Sequence, residues 1–362
     1  MKPYIRVLVV DDSALMRKLL AQIIESDAGI EVVGTASNGE FALRKIEELQ
    51  PDVVTLDLEM PGLNGIGVLR QIMRKHTTRV VVVSSFSTAG ASITLKALAL
   101  GAVDFVAKPI DFMTRMPQVT EELVAKIKVA AVSHTVQAPL PGSRPRVEKP
   151  SGLSGRSAAK IFAIGISTGG PYALEYVLSQ LPSTFPGALV VVQHMPEGFT
   201  GLFARRLDDA CAIHVKEALP GDLLLAGRAL ICPGNRHIRV KRLPLGNVAT
   251  LSDEERVNGH RPSVDVLFRS VAKEYGRESV ALLMTGMGDD GAEGMGDVKE
   301  AGGMTLTQSE DSCVVYGMPK SAVERGYSQR TVGLKEIPHV LESLAEHERG
   351  KSAAAGDSRL PK

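Results

Sequence analysis

At 362 residues the chain is too long for one ordinary hydrophobic core and suits two domains of roughly 100 to 200 residues each. Its 44% apolar and 23% charged residues with a net charge of +1 fit a soluble globular protein and leave no polyanion-binding footprint, so nucleic acid is not an expected partner. The opening MKPYIRVLVVDDS ends its apolar run in two aspartates, unlike a signal peptide, and no apolar stretch reaches the ~18 residues of a membrane span, so a cytoplasmic protein without membrane insertion is expected.

From Ile5 to about Val132, short β-branched runs alternate with amphipathic stretches: IRVLVV with SALMRKLLAQII, IEVVGTA with GEFALRKIEEL, DVVTLD with GIGVLRQIMRK, RVVVVSS with a helix through TLKALALG, and DFVAK with VTEELVAKIKVAAV. Strands this continuously apolar are buried on both faces, which predicts an α/β domain of flavodoxin-like (βα)5 type with a parallel sheet. Residues 134–160 hold four prolines, no aromatics and almost no periodicity, the composition of a linker.

The pattern restarts with KIFAIGIS, a helix from Pro171, GALVVVQH, a segment through GFTGLFARRLDD, then IHVKEA, RALICPG, HIRVKRL and VATLSDE. A helix around VDVLFRSVAKEY, the run SVALLMTG, a helix after Gly291 and MTLTQ complete it. This predicts a doubly wound, mostly parallel α/β domain in which the short middle pieces form an antiparallel hairpin region. The expected division is a first domain at 4–124, a linker at 125–157, a second domain at 158–347 and a disordered tail at 348–362. Cys211, Cys232 and Cys313 make no zinc or disulfide pattern and read as buried small hydrophobes of a reducing cytosol.

Asp11 and Asp12 end the first strand and Asp57 the third, which are neighbours in a flavodoxin-like order, so three carboxylates are expected in one crevice. Such a cluster needs a cation, and hard oxygen donors suit magnesium; equally, a strand-end aspartate such as Asp12 can be the N-cap of the following helix. Ser84 ends the fourth strand and Lys108, before Pro109, the fifth, which adds a hydroxyl and a fixed positive charge to the same crevice. This set, with Phe105 and the MPG after Asp57, resembles the receiver domain of two-component response regulators. The resemblance implies that Asp57 is phosphorylated by a histidine kinase, and that Asp11, Asp12, Asp57 and the Glu59 carbonyl hold magnesium. It also implies that Ser84 and Phe105 form the switch pair, with Lys108 at the phosphoryl group.

Gly165, Ser167 and Gly169 fit G-x-S-x-G in a strand-turn-helix setting, with Pro171 suited to the first helical position. Backbone N–H groups of Thr168 to Gly170 near a helix start can hold a phosphate or an oxyanion, and the loop alone leaves both open. The neighbouring strand ends in His194 where a nucleotide fold would place an acidic residue, and SVALLMTG leads to Asp289 and Asp290. Serine, histidine and aspartate at the carboxyl edge of one parallel sheet have the chemistry of a triad, in the order Ser, His, Asp rather than the Ser, Asp, His of α/β-hydrolases.

GISTGG, VVQHMPEGFT, HRPSVDVLF, LLMTGMGDDGAEGM and SCVVYGMPK resemble the catalytic domain of the CheB-type chemotaxis receptor methylesterases. The resemblance implies Ser167 as nucleophile, His194 as base, Asp290, which precedes Gly291, as orienting acid, and Thr168 with the Met287 backbone at the oxyanion. It implies demethylation of glutamyl methyl esters on methyl-accepting chemotaxis receptors and deamidation of receptor glutamines, with a chemotaxis histidine kinase as phosphodonor and no cofactor in the esterase site. The unphosphorylated receiver is expected to hold activity down, tethered through the linker. His237 and His260 read as packing or substrate-contact residues, and Arg205 and Arg206 as a solvated helix face. The competing readings are a response regulator whose output binds a nucleotide or a protein through the glycine-rich turn, and a transcription factor, for which no basic helix-turn-helix segment is present.

Overall fold

A computed structural model describes residues 4–85, 87–108, 116–133, 158, 160–244 and 246–346. The expected tail at 348–362, most of the expected linker and Pro109 lie outside the described residues. The chain divides into two compact units, Met1–Gln137 and Ala138–Lys362.

In the first unit β1 (Ile5–Val10), β2 (Ile30–Ala36), β3 (Val53–Leu56), β4 (Arg79–Ser85) and β5 (Asp104–Lys108) form one sheet in the order β2-β1-β3-β4-β5, every pair parallel. The helices α1 (Ala14–Glu25), α2 (Gly39–Leu49), α3 (Gly65–Lys75), α4 (Thr88–Ala99) and α5 (Met116–Val132) alternate with them. Side chains of Ser13, Asn38, Asn64 and Ser87 cap the first four helices by accepting a backbone N–H three residues on. The cap of α1 is therefore Ser13, and Asp12, considered for that role, is exposed.

The first domain does not stop at 124. Helix α5 continues to Val132 because Leu123, Ile127 and Ala130 all face the core, and the Arg79 guanidinium then binds the Ser133 carbonyl at 3.0 and 3.1 Å. Residues 125–132 therefore continue the last helix of the first domain and are not linker.

In the second unit β6 (Ile161–Ile166), α6 (Gly170–Gln180), β7 (Ala188–Gln193), α7 (Thr200–Ala210), β8 (His214–Glu217) and β9 (Arg228–Ile231) lead to β10 (His237–Leu243) and β11 (Gly246–Ser252). Then follow α8 (Val264–Tyr275), β12 (Ser279–Leu283), α9 (Ala292–Glu300), β13 (Met304–Gln308), α10 (Met318–Glu324), β14 (Arg330–Val332) and α11 (Ile337–Glu346). Seven strands build a wholly parallel sheet in the order β14-β13-β12-β6-β7-β9-β8. The antiparallel strand pair among the described residues is the β10–β11 hairpin, with isolated antiparallel bridges at Leu223–Val248 and Val257–His260; β8 and β9, short enough to pass for hairpin strands, extend the main sheet instead.

From β6 the chain winds outward through β7 and then returns to lay β12 on the other side of β6, so the order reverses between β6 and β12. Loops leaving the carboxyl ends of β6, β7 and β12 open onto this crevice, the place where such folds bind and react. The β10–β11 hairpin packs Ile238 and Val240 against the same core as Phe268 and Val271 of α8, and the Ser270 hydroxyl accepts the Val240 N–H at 3.1 Å. The hairpin thereby steadies α8, whose N-terminus reaches the crevice.

Two glycines of G-x-S-x-G have distinct structural reasons. A Cβ on Gly165 would lie 2.2 Å from Val264 Cγ1, so glycine lets the start of α8 approach β6. Gly169 has φ +74°, the left-handed conformation that turns the chain from Ser167 into α6. Gly165→Ala is expected to cost about 1–3 kcal/mol by overpacking, read as a lower urea midpoint for the second domain; an unchanged midpoint would contradict the contact.

Candidate active site

Ser167 leaves β6 on a turn held from three sides. Its N–H donates to the Thr285 carbonyl at 3.0 Å, and its carbonyl accepts the Gly170 N–H at 2.7 Å and the Gln193 side-chain amide at 3.1 Å. The same Gln193 amide donates to the His194 carbonyl at 3.2 Å, and the His194 N–H to the Ile166 carbonyl at 3.1 Å. One buried amide thus ties together the peptides that carry the serine and the histidine.

Asp290 sits after β12 and is 1% exposed. Its Oδ2 accepts His194 Nε2 at 2.8 Å and the Val264 N–H at 2.7 Å. Its Oδ1 accepts the Ser263 hydroxyl at 2.7 Å, the Asn258 amide at 3.2 Å and the Asp265 N–H at 3.3 Å. Val264 and Asp265 open α8, whose N-cap Ser263 makes no side-chain cap of its own, so Asp290 caps that helix from outside. Burial pushes its pKa up, but the bonds from His194, Ser263 and Val264 outweigh it and hold the carboxyl at about 2. Asp289, its neighbour, points outward to Arg325 at 3.1 Å. The doublet is resolved in favour of Asp290.

With Nε2 on an anionic carboxylate, His194 keeps Nδ1 free of any partner among the described residues. No hydrogen bond joins Nδ1 to the Ser167 hydroxyl here; such contacts are commonly longer in free enzymes than with substrate bound. Thr168 is buried, with its carbonyl accepting the Thr285 hydroxyl at 3.0 Å, and the Met287 side chain is 42% exposed on the loop that overlies Ser167. Gly286 lies so close to the serine that a Cβ there would be 2.8 Å from Ser167 Cβ.

In the first unit the Lys108 ammonium bridges Asp11 Oδ2 and Asp57 Oδ2, each at 2.7 Å. The carboxylate oxygens of Asp11, Asp12 and Asp57 lie within 4.8 Å of one another. Burial raises the pKa of Asp11 despite Lys108, with Asp57 adding to the rise. Lys108 loses to burial but gains more from Asp57 and Asp11, and its pKa stands above the ordinary value. Three hard oxygen donors beside a single lysine fit magnesium.

The Glu59 N–H donates to Asp57 Oδ1 at 3.1 Å, and its side chain accepts the Ser85 hydroxyl at 2.6 Å. Ser84, at the end of β4, is fully buried, and its hydroxyl donates to the Gly90 carbonyl in the first turn of α4 at 3.4 Å. Phe105 is 4% exposed, with Lys126 Nζ 5.2 Å from its ring centroid.

A family model described as CheB methylesterase matches residues 162–341, and one described as response regulator receiver domain matches residues 7–119. The protein-glutamate methylesterase/protein-glutamine glutaminase 2 of Koribacter versatilis is 57% identical over 345 residues, covering 93% of this chain and 95% of its own. The chain belongs to the CheB methylesterase family. A second relative, the protein-glutamate methylesterase/protein-glutamine glutaminase of Symbiobacterium thermophilum, is 46% identical over 93% of this chain and 96% of its own. The crystal structure of the Thermotoga maritima CheB methylesterase catalytic domain matches with 40% identity and a TM-score of 0.50, covering 51% of this chain and 98% of that one.

Around Ser167, His194 and Asp290 stand residues that sequence reasoning did not single out. Gln193, Asn258, Ser263 and Asp265 all contact them or their supports, and Asp265, 1% exposed, has its pKa raised by burial. His237 is fully buried; its Nδ1 accepts the Ser263 N–H at 3.2 Å and its Nε2 donates to the Glu255 carbonyl at 3.0 Å, a packing role as expected. His260 stacks on His194. Arg206 pairs with Glu175 at 2.9 and 3.2 Å, while Arg205 is exposed. All three cysteines are buried. Among the described residues no helix is long and apolar enough to cross a membrane.

Because the folded pKa of Asp290 is depressed, its contribution to stability is complete above about pH 4 and is lost as pH falls through about 2. Asp290→Asn should therefore lower stability by about 2 kcal/mol at pH 7 and progressively less toward pH 2, measured by denaturant unfolding at both pH values.

Proposed function

We propose that the chain is a phosphorylation-controlled esterase that hydrolyses glutamyl methyl esters on chemotaxis receptors and converts receptor glutamines to glutamate, acting in the cytoplasm. The observation that carries this reading is the anionic Asp290, anchored at the start of α8, with His194 Nε2 upon it. An anion there keeps the proton on Nε2, which leaves the lone pair on Nδ1 and makes His194 a base.

His194 Nδ1 takes the Ser167 proton as the serine oxygen bonds the glutamyl carbonyl carbon. The tetrahedral intermediate collapses, the ester C–O bond breaks, and methanol leaves with the proton from His194. Water then adds to the acyl-enzyme, gives its proton to His194, and the serine oxygen departs with that proton, freeing glutamate. With glutamine the leaving group is ammonia. Asp290 stabilises the imidazolium formed in each half. Thr168 and the Met287 backbone are assigned to the oxyanion, next to the Ser167 turn. A phosphate cradle is disfavoured, since the Gly170 N–H is already bound to the Ser167 carbonyl.

In the receiver, here extended through Val132, Asp57 accepts the phosphoryl group from a chemotaxis histidine kinase. Asp11, Asp12, Asp57 and the Glu59 carbonyl would hold magnesium, which neutralises phosphoryl charge when bound. Lys108 bridges two carboxylates and is ready to pair with the phosphoryl oxygens. Ser84, with Phe105 the switch pair, must leave the Gly90 carbonyl to reach a phosphoryl group on Asp57. Residues 134–157 link this domain to the esterase.

Ser167→Ala should abolish methanol release from methylated receptor membranes while phosphate uptake at Asp57 persists; retained turnover would remove Ser167 as nucleophile. Asp57→Asn should keep basal methanol release and lose its stimulation by a small-molecule phosphodonor. Chelating magnesium should do the same to the unsubstituted protein.

A further inference from the structure

His260 takes no part in the acyl-transfer steps, yet its ring lies face to face with that of His194, centroids 4.1 Å apart and planes 18° from parallel. The loop that carries it is built around this position. Val257 and His260 exchange backbone hydrogen bonds of 3.1 and 2.9 Å, closing a turn through Asn258 and Gly259 at φ 52° and 76°. From one side the Asn258 amide pins the turn to two buried carboxylates, Asp265 at 2.8 Å and Asp290 at 3.2 Å. On the other its carbonyl accepts the His260 Nδ1–H at 2.6 Å, which sets the tautomer and the tilt of the ring.

We propose that His260 is a positioning residue of the esterase: clamped by Asn258, its stacked ring holds His194 on Asp290 so that Nδ1 stays aimed for proton transfer. The inference rests on the Ser167–His194–Asp290 reading. His194 is held by a single side-chain hydrogen bond, with Nδ1 unpartnered, and a ring on one bond is free to swing about it. A misplacement of about 1 Å at a reacting group can cost on the order of 100-fold in rate. The stack supplies the missing second constraint.

Metal ligation does not explain the pair. The in-plane lone pairs of two nearly parallel, stacked imidazoles run side by side and do not converge on one ion. Burial first and then His194 lower the pKa of His260; Asp290 and the Asn258 carbonyl oppose this, Arg256 adds the smallest lowering, and the net shift is below the ordinary imidazole value. The imidazolium formed on His194 during turnover therefore meets a ring whose own protonation is disfavoured.

The test compares His260→Ala, His260→Gln and His260→Phe in the full-length protein, with Ser167→Ala alongside. Readouts are kcat and KM for methanol release from methylated receptor membranes, and the rate at which a fluorophosphonate probe labels Ser167. Ala and Gln should each lower kcat and the labelling rate by about tenfold or more with KM within about twofold, and Phe, which keeps a ring, should recover kcat to within about threefold. If the Ala variant does not fold, the Gln and Phe pair decides. A kcat equal to the unsubstituted protein without the ring, or an equal fall with Phe, overturns the positioning role while an inactive Ser167→Ala leaves the triad standing. Methanol release by Ser167→Ala overturns both.

Discussion

A carboxylate that stays ionised while almost fully buried must have donors on every side, and Asp290 is such a group. Its five partners come from the loop after β7, the loop before α8 and the first turn of α8 itself. Several neighbouring elements of the second domain bear on this charge. The hairpin β10–β11 packs on α8 and carries His237, which fixes the Ser263 backbone; Gly165 lets the helix start lie against β6. The carboxylate that holds His194 Nε2 is thus the same one that caps α8.

The receiver handles its acids by the opposite means. Asp11 and Asp57 share one lysine and sit beside a third carboxylate, so burial and mutual repulsion leave the cluster short of positive charge. Asp290 is balanced by fixed dipoles and needs nothing further. The first arrangement suits a site that must accept a cation and a phosphoryl group; the second suits one whose protonation state must not change during turnover.

Ser167 and His194 were legible in the sequence because each directly follows a continuously apolar strand, and Asp290 because it lies in the loop that leaves a third; parallel strands deliver their carboxyl ends to one edge. The same logic located Asp11, Asp57 and Lys108. It could not locate Gln193, Asn258 or Ser263, and it singled out His260 only as a packing or substrate-contact residue, since an amide, a hydroxyl or a loop histidine acquires its role only where distant segments converge. Strand position sets which face Ser84 takes but not the partner of its hydroxyl, which here is the Gly90 carbonyl of the next helix. The helical run VTEELVAKIKVAAV was read to its end at Val132 and only the domain boundary was drawn too early, inside it, while β14, of three residues, is too short to carry a pattern. Strands β8 and β9 looked like hairpin pieces because length and alternation do not reveal the partner's direction.

The two ends of the triad differ in how deeply they are woven into the fold. The Ser167 hydroxyl joins no hydrogen bond described here, whereas Asp290 closes a helix and seats a loop. A lineage that gave up ester hydrolysis could drop the serine at little structural cost while still keeping the aspartate. Pseudoenzymes on this scaffold should therefore carry an intact acid and a silent first position, and an aspartate before Gly291 would be a poor marker of surviving activity.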